Sequence, residues 1–145
     1  YDEYLLEPLA NVLLTLGVKS GMVIYGQDCL DELSMSAPTS VCEFKDGWFR
    51  RYAVKPEDFG FTRCTKDDIR GGDPAENAAV TLAILKGEQG PKTDIVLLNA
   101  GTALYAANTV DSIGAGIAAA REAVASGAAR AKLEQFVAVT RRLAS

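Results

Sequence analysis

An α/β fold, part of a mainly parallel sheet with a β-hairpin and a helical C-terminal half, is what this sequence predicts. Three observations carry it. A segment of helical apolar spacing feeds directly into a short continuous apolar run, strand-like segments flank Asp46-Gly47, and from Asp73 onward helical periodicity and capping signals dominate. With 145 residues, 48% hydrophobic and 23% charged, the chain is long enough for one domain with a real core and too short to suggest two.

The elements follow in order. After Pro8, which suits a first helical turn, Leu9, Val12, Leu13 and Leu16 fall at i, i+3, i+4 and i+7, and Gly17 is placed to close the helix. The apolar run at 22–25, between Gly21 and Gly26, reads as a strand covered on both faces, as in a parallel sheet. Over 41–54 the pattern changes to a hairpin. There Asp46-Gly47 suits a two-residue type I′ turn, which sets Phe44 opposite Phe49 and Glu43 opposite Arg50. Asp73-Pro74-Ala75-Glu76 combines an N-cap acid, proline at N1 and an acid at N3, with Gly87 closing the helix after Leu82 and Leu85. Residues 95–107 are apolar nearly all round. The IVLL run alone also fits a strand, but Asn99, the alanines and the length favour a buried helix. Two more helices are predicted over 112–126 and 127–143, the second with Leu133, Phe136, Val137 and Thr140 along one face.

Composition narrows the function. Fifteen basic and nineteen acidic residues give a net charge of −4, which offers no electrostatic attraction to nucleic acid or an anionic membrane. No apolar stretch approaches the ~20 residues needed to span a bilayer and no signal-peptide pattern is present, so a cytoplasmic protein is expected. Three cysteines without CxxC spacing are expected as reduced thiols. The absence of histidine removes the usual general base and the His-containing catalytic arrangements. The chain begins at Tyr1 without an initiator methionine, and a piece of a longer protein is expected.

Several motifs compete as sites. Gly114-Ala115-Gly116-Ile117-Ala118-Ala119 matches a dinucleotide fingerprint on paper, but it lies inside a helical pattern, where small residues letting two helices approach is the better account. Gly71-Gly72-Asp73 could cradle a phosphate at a helix start, yet the Asp73 charge opposes this and favours capping. The pairs Arg50-Arg51 and Arg141-Arg142 read as solvated surface. Cys29 lies among acids, which works against a nucleophilic thiolate. The loop GQDCLDELS is stronger. It places Asp28, Asp31 and Glu32 directly behind a strand, where the ligands of open α/β sheets gather. Magnesium takes one or two carboxylates and completes its shell with water and phosphate oxygens, so adjacent acids on such a loop suit it; a solvated acidic turn is the competing reading.

GQDCLDELS, SAPTSV, YAVKPEDFGF, GGDPAENA, DIVLLNAGTALY and AAREAVASGAARAKLEQF, in this order along essentially the whole chain, resemble the C-terminal part of the anthranilate phosphoribosyltransferase family. The resemblance implies a large α/β domain beside a small helical one. It also implies transfer of phosphoribosyl from phosphoribosyl pyrophosphate to the amine of anthranilate, with release of pyrophosphate, in tryptophan biosynthesis. Magnesium would be required, and Asp31 and Glu32 match the family's metal-holding pair; Asp28 would support that pair without being one of it. Residues 1–145 would then be the C-terminal part of the α/β domain, inactive alone and with no catalytic residue beyond the metal pair. The small domain, the glycine-rich phosphate loop and the anthranilate channel would precede Tyr1, and the parent would be a homodimer. A pyrimidine nucleoside phosphorylase-like enzyme, or a non-catalytic binding domain of the same fold, are the alternatives.

Overall fold

The computed structural model describes residues 2–144. A short turn of 3-10 helix (Glu3–Leu5) leads into α1 (Leu6–Thr15), followed by β1 (Ser20–Gly26), β2 (Thr39–Lys45) and β3 (Trp48–Val54). Two further 3-10 turns (Pro56–Phe59 and Asp67–Ile69) precede α2 (Pro74–Leu85), α3 (Pro91–Ala106), α4 (Ile113–Ala125) and α5 (Ala128–Leu143).

The three strands form one sheet in the order β1-β2-β3, and both pairings are antiparallel. The parallel environment expected for residues 22–25 is therefore not found among the described residues. A continuous apolar run reports cover on both faces, and β1, half-buried over 20–25, has it, with α1 on one side and α3 on the other; it does not report the direction of the neighbouring strand. The hairpin has the expected form. Asp46 and Gly47 have φ of 47° and 86°, both positive as a type I′ turn requires. Glu43 faces Arg50 and Phe44 faces Phe49, whose ring centroids lie 6.5 Å apart.

The alternation of β2 divides the core. Cys42 and Phe44 point toward α1 and pack with Leu6 and Ala10. Val41 points the other way, into a larger cluster with Leu33, Met35, Ile95, Leu97, Leu98, Ile113 and Ile117 from the loop and from α3 and α4. On α1 the buried stripe is Leu6 and Ala10 with Leu13 and Leu14 half-buried, while Leu9, Val12 and Leu16 are exposed. The expected face is the wrong one because apolar residues surround most of this helix and two stripes satisfy the same spacing.

Helix packing on the second face depends on Gly101 and Gly116. A Cβ on Gly116 would overlap the carbonyl of Gly101, and one on Gly101 would overlap the backbone of Ile117. This close approach of α3 and α4 accounts for Gly116, whereas Gly114, Ala115, Ala118 and Ala119 of the same motif are exposed. On α2, Asp73 accepts from the N–H groups of Ala75 and Glu76, and the Glu76 carboxylate accepts from Asp73 N–H, a complete capping box. Along α5, Leu133 and Val137 are half-buried, but Phe136 and Thr140 are exposed.

Candidate functional site: a carboxylate loop pinned at both ends

The loop of residues 27–38 joins β1 to β2 and carries all three acids of GQDCLDELS. Its first half is folded around Asp28. The hydroxyl of Ser34 donates to Asp28 Oδ2 at 3.0 Å, Ser36 Oγ donates to the same atom, and Lys66 Nζ reaches the Asp28 carbonyl and lies 3.9 Å from the carboxylate. Burial alone would raise the Asp28 carboxyl. The two serine hydroxyls, a backbone N–H and the Lys66 charge outweigh it and hold the group below the usual carboxylate range. Asp28 Oδ1 is buried without a hydrogen-bond partner, packed beside Gly26, where a Cβ would stand 2.9 Å from it.

The second half is tied to α3. Asn99 Oδ1 accepts from Leu33 N–H at 2.9 Å, and Asn99 Nδ2 donates to the Leu33 carbonyl at 3.0 Å. Leu33, Ser34 and Met35 are buried, Ser34 N–H donates to Thr39 Oγ1, and Cys64 N–H donates to the Met35 carbonyl. The chain between these ties, including Asp31 and Glu32, stands at the surface.

Neither Asp31 nor Glu32 has a side-chain hydrogen bond or ion pair among the described residues, and no group of three or more potential metal ligands is found among them. Although exposed, Glu32 is crowded by neighbouring protein atoms; this desolvation, and then the Asp31 charge, push its carboxyl above the usual range. A cation would relieve both effects. Two adjacent hard-oxygen donors with no protein partners fit an ion that keeps most of its water and shares a few carboxylate oxygens.

The remaining motifs do not join this site. The Gly72 N–H and carbonyl are both taken by the Asn77 side chain, so Gly71-Gly72 belongs to the start of α2. Cys29 is an exposed thiol 3.5 Å from the Tyr25 hydroxyl. Arg50 is more than solvated surface: it pairs with Glu43 at 2.8 Å and stacks over Tyr52. Asn99, Lys66, Ser34 and Ser36 are parts of the loop's support that sequence reasoning misses. The one available signal is the polar Asn99 following the apolar run 95–98 of α3.

Residues 1–130 match the family described as "Glycosyl transferase family, a/b domain". The chain belongs to this family. More particularly, it is 51% identical over 140 residues to anthranilate phosphoribosyltransferase of Methanobrevibacter smithii, covering 97% of this chain and 42% of that protein. It is 51% identical over 136 residues to the enzyme of the same name from Clostridium beijerinckii, covering 94% of this chain and 40% of that one. Its fold matches the crystal structure of anthranilate phosphoribosyltransferase from Thermus thermophilus with a TM-score of 0.87 at 40% identity, over 97% of this chain and 41% of that chain. The chain thus spans about 42% of the length of the curated relatives it matches. A Saccharomyces cerevisiae anthranilate phosphoribosyltransferase in complex with PRPP and Mg matches with a TM-score of 0.84 at 24% identity, over 94% of this chain and 40% of that one, a likeness of fold.

Proposed function

We propose that this chain supplies the metal-holding carboxylates of an anthranilate phosphoribosyltransferase, which transfers phosphoribosyl from phosphoribosyl pyrophosphate to the anthranilate amine. The observation that carries the reading is the Asp31-Glu32 pair, left without partners among the described residues on a loop pinned on both sides, in a chain 51% identical to relatives of that name. The reaction breaks the bond from ribose C1 to a pyrophosphate oxygen, forms one from C1 to the anthranilate nitrogen and releases a proton from that nitrogen. No protein nucleophile is needed, which agrees with a chain lacking histidine. Magnesium bound at this loop would supply positive charge against the departing pyrophosphate. Asp31 and Glu32 hold that charge at the loop tip, and Asp28, with Ser34, Ser36 and Lys66, keeps the approach to the tip in one conformation. The phosphate-cradling loop and the anthranilate channel would come from the remaining part of a cytoplasmic, homodimeric parent.

In the full-length protein, replacing Asp31→Asn together with Glu32→Gln keeps shape and removes two formal charges. Turnover should fall on the order of a hundredfold or more, as when a group stabilising transition-state charge is lost. The magnesium requirement should rise with it. Following anthranilate fluorescence against magnesium concentration measures both, and wild-type activity with wild-type metal dependence would refute the assignment. The 145-residue chain alone should show no transfer, because positioning both substrates requires the missing half of the site.

A further inference from the structure

We infer that Asn99 is a positioning residue for the Asp31-Glu32 pair, acting through the Leu33 peptide; this rests on the function proposed above. Asn99 lies inside α3 in a run otherwise made of apolar and small residues, flanked by the buried Leu97, Leu98 and Gly101. Asparagine is a mediocre helix former, and a leucine would suit such a stretch on packing grounds. The side chain instead makes three hydrogen bonds. Its Oδ1 accepts from Leu33 N–H, and its Nδ2 donates to the carbonyls of Leu33 and, at 3.0 Å, of Ile95 in its own helix. A single amide therefore grips both polar groups of one peptide residue 66 positions away, as a neighbouring strand would.

That residue directly follows Glu32. On the other side the loop is held by the Asp28 cluster and by Gly26 N–H, which donates to the Leu30 carbonyl, so Asp31 and Glu32 are the short span left between two fixed ends. Releasing Leu33 removes the hydrogen-bonded tie nearest to the paired carboxylates, while Ser34 and Met35 stay held by Thr39 and Cys64. It leaves the Asp28 cluster untouched. Outer hydrogen-bond partners of metal-holding carboxylates commonly govern metal affinity in this indirect way. A residue needed only for folding would lower stability without singling out the metal.

The test uses the full-length protein carrying Asn99→Ala. The manganous ion serves as a spectroscopic substitute for magnesium, with pyrophosphate present and free Mn2+ read by electron paramagnetic resonance. Binding should weaken roughly tenfold, and the magnesium concentration for half-maximal turnover should rise by about the same factor, the lower end of the range for such partners. The KM for anthranilate should stay near wild type. Unchanged Mn2+ affinity, or an anthranilate KM that rises in step with the metal requirement, overturns the inference. Should Asn99→Ala fail to fold, Asn99→Ser, whose hydroxyl ends short of Leu33, gives the same readouts with the same expectation. The Asp31→Asn/Glu32→Gln variant runs beside it. If that variant loses Mn2+ while the Asn99 variants do not, only the positioning role fails; if none of them moves Mn2+ binding, the proposed metal site fails first.

Discussion

Glu43 and the Asp31-Glu32 pair are carboxylates in opposite circumstances. Glu43 is 5% exposed and accepts three hydrogen bonds of 2.8 Å, from Arg50 Nη2, Tyr52 Oη and Tyr105 Oη. Burial raises its pKa, but the donors, Arg50 foremost, outweigh burial and hold it below the usual range. Tyr52 is in turn pushed far above an ordinary phenol, by burial first and then by the bond to Glu43. Asp31 and Glu32 have no such donors among the described residues and stand at the surface. A carboxylate whose lone pairs are filled by the protein ties elements together, here β2, β3 and α3. One whose lone pairs are left open is available to a ligand.

Substitutions can break this contrast. Glu43→Gln should be the most damaging to stability, because one amide cannot accept from three donors and its own N–H groups face hydroxyls that were donating. A loss of about 1–3 kcal/mol is expected, the cost of unsatisfied buried polar groups, read from chemical denaturation. Metal dependence of the full-length protein should not change. A rise in the magnesium requirement matching that of the Asp31-Glu32 double variant would erase the distinction between the two kinds of acid.

The pH dependence of stability sharpens it further. Glu43 and Asp28 both have lowered folded values, so each contributes stability that is present above the unfolded carboxylate value of about 4 and is lost as pH falls through the folded one. Glu43→Gln should therefore flatten the acid limb of a stability-against-pH curve. Glu32 runs the other way. Its folded value is raised, so the folded chain keeps a proton that the unfolded chain has released, and completing its ionisation at higher pH costs stability. Glu32→Gln should make the protein slightly more stable at neutral pH, the smallest of these effects, while impairing metal response. A thermal midpoint lower than wild type at neutral pH would contradict it.

Much of the fold can be read locally. The turn at Asp46-Gly47, the capping box at Asp73 and the boundaries of α4 between Ser112 and Ser126 depend on backbone torsions and on side chains reaching N–H groups two or three residues away. The candidate site is half legible. Adjacent acids behind a strand single out the loop, and the resemblance of several motifs in register singles out the pair proposed to hold the metal. Nothing near GQDCLDELS points to Lys66 or Asn99, because their side chains reach the loop across 38 and 66 residues.

By itself, then, the sequence determined where α2, α4 and α5 begin and end, the hairpin register and which loop gathers acids, all matters of short-range geometry; the start of α3 at Pro91 lies four residues before the expected one. Tertiary structure decided the rest. The direction of β1 depends on how the 27–38 loop turns back, and an apolar run is equally content beside a parallel or an antiparallel neighbour. The buried stripe of α1 is the one that meets Cys42 and Phe44 of the sheet, with Phe44 lying across Gly21, where a Cβ would stand 2.7 Å from the ring. Whether an acid becomes a tie or stays open was decided by the donors that folding carried to it: Tyr105 came to Glu43 from 62 residues away, and none among the described residues came to Asp31 or Glu32.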